Sequence, residues 1–341
     1  MRNLTPLPRR PTLVHVAAQC GVAVSTASMA LNHPASETRL DPETVKRVRA
    51  AAEQLGYRAN TWAKALRGEG SGLVGLVFPD VEAALNDFGA TLVQHLSRRL
   101  ASLGRDLVLV PVGASDTRLA QRIAGERLDA CLVFNQIPPG TSEALALSRK
   151  PGVAVNAPSL DGTAHRGWIE VGFDDEAIVG TALDHLWDLG HRRIWYCMTP
   201  SIIRQHGSGL RRQNAYTAWC VSHGISPRIA ADERPERCAL SIRNDTERPT
   251  AVLCFADNIA LSLLSGCRDA GIRVPEELSV VSINNQLPMA EFAYPTLSTI
   301  SLPVHELATA AINAIDHGVA GQAPQLLPGT LVVRRSTAAL R

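Results

Sequence analysis

From residue 73 onward the sequence repeats one alternation: a short apolar run of strand length, then a stretch with apolar residues at helical spacing. Strand-like runs fall at 73–78, 107–112, 130–134, 153–156, 194–197, 251–255 and 279–283. Helical patterns fall between them or after the last, at about 88–103, 117–124, 176–189, 211–223, 258–270 and 304–317. Neighbouring parallel strands need a crossover connection, usually a helix, so this alternation dictates an α/β core with mostly parallel sheets, and its length suffices for two. Ligands of such folds bind in a crevice at the carboxyl ends of the strands. No G-x-G-x-x-G pattern or phosphate-binding loop marks a nucleotide site.

The first seventy residues have a different texture. In TLVHVAAQCGVAVSTASMALN (12–32), Leu13, Val16, Ala17 and Cys20 are helically spaced, Gly21 interrupts, and Val22, Ala27, Ala30 and Leu31 resume the pattern. Small residues, Ala17 and Ala30, sit where two short helices cross closely. Ser25, Thr26 and Ser28 stud the outer face of the second. This is a helix-turn-helix layout whose second helix suits a DNA major groove; the alternative is an αα-corner in a small helical domain. Asp41 reads as an N-cap with Pro42 behind it, opening a third helix through Val45, Val48, Ala52 and Leu55 that stops at Gly56. Beyond it, 58–67 reads as one or two helical turns capped by Asn60, followed by the glycine-rich 68–72.

Charge divides along the same line. Residues 1–67 hold ten Lys+Arg against four Asp+Glu, a net of +6, while the remainder holds 24 against 28, a net of −4. A basic head on a mildly acidic body suits a nucleic-acid module joined to another function. Hydrophobic residues make up 45% and charged residues 19%, which excludes a disordered chain. The seven cysteines are scattered with no C-x-x-C pair, so they are expected as small core residues, not as a disulfide framework or a zinc site. No apolar h-region follows the basic N-terminus and no apolar run approaches membrane-spanning length, so a soluble, cytoplasmic protein with no membrane partner is expected. His185 and His191, six apart, do not share a helical face and are not read as metal ligands. No G-x-S-x-G elbow or paired-carboxylate pattern is present; no catalytic residue, metal or cofactor is expected, and the protein is not read as an enzyme.

Several blocks in order resemble the LacI/GalR family of transcriptional regulators, over nearly all of 12–338. They are G-V-x-x-S-T-A-S-x-A-L-N (21–32), L-G-Y-R-A-N (55–60), A-x-A-L (63–66), V-G-L-V-F-P-D (74–80), L-G-H-R-R-I (189–194), P-T-A-V-L-C-F-A-D (249–257), V-P-E-E-L-S-V-V (274–281), P-T-L-S-T-I (295–300) and L-V-V-R-R-S-T (331–337). The resemblance implies a homodimeric repressor that binds a palindromic double-stranded operator. A small effector, sugar-like or an anionic metabolite, would sit between two periplasmic-binding-protein-like lobes. The implied organisation is a flexible basic arm (1–11), a helix-turn-helix domain (12–58), a hinge helix and linker (59–72) and an effector-binding and dimerisation core (73–341). Within that core, lobe 1 would comprise about 73–188 and 301–328, and lobe 2 about 189–300 and 329–341.

By resemblance, Val24, Ser25 and Met29 stand where the family reads base edges, and Thr12, Thr26, Ser28 and Asn32 belong to the same DNA-binding set. Tyr57, Asn60, Ala63 and Leu66 match the hinge contacts, Leu66 being the wedge into the minor groove. Asn86, Phe88, Arg212, Asp257 and Asn284 match effector-binding positions; the alternative for Arg212 is a structural salt bridge between lobes. The chain also departs from the family. Met29 replaces a usual Arg, exchanging a bidentate guanine contact for an apolar one, so a shifted operator is expected. Ala59 and Asp87 replace prolines, and the loop at Asn86 is about three residues longer. Ala256 replaces an Asn and Asn284 an Asp, which removes strong partners for sugar hydroxyls. The 225–248 segment is about a dozen residues short, so a strand–helix unit beside the pocket is expected to be truncated. A transport solute-binding protein or a sugar-processing enzyme on the same scaffold are the rival readings; the basic head argues against the first, and the lack of a titratable cleft constellation against the second.

Overall fold

A computed structural model describes residues 11–32, 38–57, 70–78, 87–111, 128–135, 150–157, 168–205, 207–286, 288–318 and 323–340. The chain forms two compact units, Met1–Ser71 and Gly72–Arg341.

The first unit contains α1 (Leu13–Cys20), α2 (Val24–Asn32) and α3 (Pro42–Gln54). Gly21 ends α1 in the left-handed region, at φ 61°, where a residue lacking Cβ carries no steric penalty. The N–H groups of Gly21 and Val22 return to the carbonyls of Ala18 and Ala17, and the chain turns through 105° into α2. The helices meet through Val16, Ala17, Ala27, Ala30, Val45, Val48, Ala51 and Ala52, a core of valines and alanines that lets the backbones approach closely. Asp41 caps α3 by accepting from the Thr44 N–H at 3.2 Å, with Pro42 at the first position as expected.

The second unit is built on two six-stranded sheets. Its strands are β1 (Leu73–Phe78), β2 (Asp106–Pro111), β3 (Ala130–Phe134), β4 (Gly152–Val155), β5 (Ile169–Phe173), β6 (Ile194–Met198), β7 (Ile229–Ala231), β8 (Ala251–Cys254), β9 (Ser279–Asn284), β10 (Ser298–Ser301), β11 (Gln325–Leu327) and β12 (Thr330–Val332). The first sheet runs β11-β5-β4-β3-β1-β2 and the second β12-β10-β9-β8-β6-β7. All described pairings are parallel except β10 with β12. Strands β3, β4, β6 and β8 are buried along their whole length, as strands covered on both faces must be.

The described helices of this unit are α4 (Asp87–Ser102), α5 (Asp175–Asp188), α6 (Ser201–Gln205), α7 (Gly207–Ser222), α8 (Cys238–Asn244), α9 (Asp257–Asp269), α10 (Met289–Phe292) and α11 (Val304–His317). Helices α4 and α11 pack on each other, α11 also against β4 and β5. Helix α5 packs on α7 and touches β8, β9, β10 and β12, all of the second sheet. The expected passage near 189 therefore falls instead around Asp174. The physical reason is the apolar stripe of α5, Ile178, Val179, Ala182, Leu183 and Leu186, which is buried in the second layer. The glycine turn at 190 then redirects the chain within that layer. The two later passages lie between β10 and α11 and between β11 and β12.

The shortened 225–248 segment retains a strand–helix unit in compressed form: β7, a 3-10 turn at Pro235–Arg237, and α8. Strand β7 is the edge of the second sheet and pairs with β6. Six cysteines are buried and Cys20 is half-buried, and none is in a disulfide, consistent with small core residues. Among the described residues no single helix is long and apolar enough to cross a membrane.

Candidate functional sites

A cleft of the second unit lies at the carboxyl ends of both sheets, where parallel α/β folds place their ligands. It encloses about 580 Å³. Phe88, at the start of α4, and Asn156, just past β4, line it from the first layer. Residues past β6, β8 and β9, together with the first turns of α7 and α9, line it from the second. Phe88 is held by stacking on Phe134 at 5.6 Å and by an edge contact to Phe173 at 5.7 Å.

Arg212 is 2% exposed and lines this cavity. Its Nε donates to Asp175 Oδ1 at 2.7 Å and its Nη1 to the Phe255 carbonyl at 2.9 Å, with the guanidinium lying 4.8 Å from the Phe255 ring centroid. Asp175 accepts at its other oxygen from Arg211 Nε, at 2.8 Å. The salt bridge thus joins α7 to α5 within one layer and does not bridge the two sheets. It fixes the plane of the guanidinium, whose Nη2 is the nitrogen with no bond to this framework.

Asp257 also reaches the cavity wall, but its carboxylate is engaged by the protein. Oδ1 accepts from Ser282 Oγ at 2.5 Å and Thr299 Oγ1 at 2.7 Å, and Oδ2 from the Asn285 N–H at 2.6 Å. Burial pushes this carboxyl above its ordinary range, against the pull of those three bonds. Asp257 is a brace that ties α9 to β9 and β10. Asn284 takes a positive φ of 129° at the end of β9 and lines the cavity. Its carbonyl accepts from Leu302 N–H and Gln286 Nε2.

Four further lining residues carry no family motif in the sequence: Asn156, Thr199, Ser208 and Glu233. Asn156 and Thr199 follow β4 and β6, so the strand-end rule applied to each predicted strand would have found them. Ser208 sits in the first turn of α7. Glu233 comes from the compressed segment, accepting from Ser201 N–H at 3.0 Å and Ser201 Oγ at 2.7 Å, which fastens this segment to α6. The first turns of α7 and α9 both open on the cavity, and N–H groups of a first turn, which have no partner within their own helix, favour an acceptor-rich or anionic ligand. Among the described residues no cluster of three or more His, Cys, Asp or Glu side chains could hold a metal ion. His191, buried at 3%, meets Thr250 Oγ1, Ser279 Oγ and the Ala338 carbonyl at 2.9–3.0 Å, and His185 meets Thr337 Oγ1 at 3.1 Å. Both are structural.

In the head, α2 turns Ala27 and Ala30 inward and leaves Val24, Ser25 and Met29 exposed, with Thr26, Ser28 and Asn32 half-buried. Asn32 Nδ2 donates to Ser28 Oγ at 3.1 Å. Thr12 opens α1, its N–H donating to His15 Nδ1 at 3.0 Å. Tyr57 packs on the head core. Asn60, Ala63, Leu66 and Asn86 lie outside the described residues.

A helix-turn-helix head and a two-sheet core with a ligand-sized cleft define a class: DNA-binding regulators that carry a small-molecule binding module. Comparison with known proteins fixes the family. Residues 12–60 match the bacterial regulatory proteins of the lacI family, and residues 183–337 match the periplasmic binding protein-like domain. An HTH-type transcriptional regulator from the aml 5′ region of Streptomyces limosus is 30% identical over 97% of this chain and 95% of its own length. The regulator GalS of Salmonella typhimurium is 28% identical over 96% of each chain. Among solved structures, the lac repressor dimer bound to operator and the anti-inducer ONPF superimposes with a TM-score of 0.83 at 22% identity, covering 97% of this chain and all of that one. The regulator CelR in complex with cellobiose gives 0.63 at 25% identity, covering 96% and 100%. The chain belongs to the LacI family of bacterial regulatory proteins. It is a transcriptional regulator with a two-lobed periplasmic-binding-protein-like core, and not an enzyme.

Proposed function

We propose that this regulator is a repressor that binds a palindromic operator as a homodimer and changes its operator affinity when a small effector, sugar-like or anionic, occupies the cleft of the core. Residues 12–58 act as the reading head, 59–72 as the hinge and 73–341 as the effector and dimerisation core. The observation that carries this reading is the cleft: about 580 Å³, lined from both sheets, with a guanidinium, two helix N-termini and several amide and hydroxyl side chains converging on it. An Arg fork with hydroxyl and amide partners suits hydroxyls and carboxylates. The CelR–cellobiose complex, at 25% identity, supports a saccharide-like occupant.

Arg212, Asn284 and Phe88 are the effector contacts supported best, joined by Asn156, Ser208 and Thr199. Asp257 belongs to the wall that holds them. Phe292 and Tyr294, 81% and 96% exposed on one short segment of the second unit, support a face that a second copy covers. Leu66, matching the family wedge, is assigned to the minor groove at the centre of the operator.

Selection of the full-length protein on random duplex DNA tests the reading. An enriched palindrome is the expected outcome. Binding that is salt-sensitive and indifferent to sequence would contradict it.

A further inference from the structure

The exposed surface of α2 carries two apolar side chains, Val24 and Met29, beside the hydroxyl of Ser25, and the helix holds no Arg or Lys to grip a guanine bidentately. Val24 and Met29 are 44% and 42% exposed, on the side away from the Ala27 and Ala30 contacts. From Val24 to Asn32 there is no Arg, Lys, Gln, Asp or Glu. The one amide, Asn32, is half-buried at the far end of the helix and spends a donor on Ser28 Oγ. Bidentate reading of guanine needs Arg or Lys, and of adenine Asn or Gln, so α2 lacks the usual hydrogen-bonding readers where it is most exposed. The unit that carries it is nonetheless basic, net +6 over residues 1–67, which complements a phosphate backbone. In the major groove the apolar group presented by base edges is the C5-methyl of thymine. Five residues separate Val24 from Met29, about 7.5 Å along a helix axis, roughly two base-pair steps, so the two side chains address different base pairs.

We infer that Val24 and Met29 recognise thymine methyl groups at two separate base pairs of each half-site, an assignment that rests on the operator-binding function proposed above. Ser25, Thr26 and Ser28 then supply short hydroxyl contacts that position the helix on the phosphates. Specificity in this regulator comes from shape and methyl contact at the positions where a charged side chain would select guanine.

Deoxyuridine tests this directly, because it differs from thymidine only by the missing methyl. The full-length protein is titrated with the duplex recovered by selection, and with duplexes in which each thymine is replaced in turn by uracil. Loss of one buried methyl is expected to weaken binding about fourfold, and loss of the symmetry-related pair about sixteenfold. Met29→Ala should abolish uracil sensitivity at one position and Val24→Ala at another, with the salt dependence unchanged. Both side chains are exposed, so neither variant removes part of the head core. A selected site whose uracil and thymine forms bind equally would overturn the inference alone and leave the apolar face to a protein partner. Uracil sensitivity that persists in both alanine variants would overturn it as well. Recovery of no common site would remove the operator-binding function and this inference together.

Discussion

Asp175 sets the orientation of the cleft at the scale of single residues. Its carboxylate holds Arg211 at one oxygen and Arg212 at the other, both within 2.8 Å, in a setting where Asp175 and Arg212 are almost fully buried. Breaking such a pair leaves a buried charge uncompensated, so Arg212 contributes to folding as well as to the wall of the cleft. Asn284 is a cleaner probe of ligand chemistry, because an Asp there is nearly the same shape and adds a charged acceptor. Asn284→Asp is expected to tighten binding of polyhydroxylated ligands by about tenfold and to weaken carboxylated or phosphorylated ones by a similar factor, consistent with charge-assisted hydrogen bonds of about 1.5–3 kcal/mol. Calorimetric titration with neutral saccharides and their acids reads this; identical affinities in both proteins would contradict it. Arg212, Phe88 and Asn284 were legible in the sequence only through their match to the family's effector-binding positions, and all three line the cleft. Asp257 was legible as a position but not as a brace, since its partners Ser282 and Thr299 are 25 and 42 residues away. Asn156 carries no motif but follows a strand that periodicity marks, whereas Ser208 and Glu233 reach the cleft wall only when the elements converge.

At the scale of elements, the long buried strands and the amphipathic helices were readable from periodicity, because burial on both faces demands continuous apolar runs. Strands β5, β7, β10, β11 and β12 were not: β7, β11 and β12 are three residues long and lie at sheet edges, while Glu170 and Gly172 interrupt the apolar run of β5 and β10 is built mostly of Ser and Thr. The layer to which α5 belongs was also hidden, because an apolar stripe fixes that a helix is buried and not against which sheet. Close approach is the second constraint invisible in one dimension. A Cβ on Gly266 would stand 2.0 Å from the Glu236 carbonyl oxygen, a backbone atom of the 3-10 turn beside the cleft wall. Gly266→Ala is therefore expected to destabilise the core by about 1–3 kcal/mol or more and to displace the 235–237 turn. Denaturant unfolding measures the first effect, and weakened ligand binding reports the second through Pro235 and Glu233. A variant as stable as the parent would contradict the packing of α9 against this turn.

For the molecule as a whole, one buried histidine, His191, and two half-buried ones, His95 and His185, set a pH limit on the core. Burial lowers the pKa of His95, His185 and His191 below the ordinary value. The unfolded chain then binds more protons than the folded one below about pH 6.5, so stability is retained above that value and lost as the pH falls toward the lowered folded values. The thermal midpoint is expected to drop between pH 7 and 5. His191→Gln should lower the midpoint at neutral pH but flatten its pH dependence; an unchanged slope would contradict the buried neutral imidazole.

If occupancy of the core cleft controls DNA binding by the head, as proposed, a single titration reads the coupling. The affinity of full-length protein for its selected duplex is measured by anisotropy across a panel of mono- and disaccharides, sugar acids and sugar phosphates, with Arg212→Lys in parallel. A compound raising the thermal midpoint of the parent protein is expected also to shift its duplex affinity about five- to 150-fold, and the shift is expected to shrink when the Arg212 fork is lost. A compound that binds and stabilises the core of the parent protein while its duplex affinity stays the same would contradict the coupling.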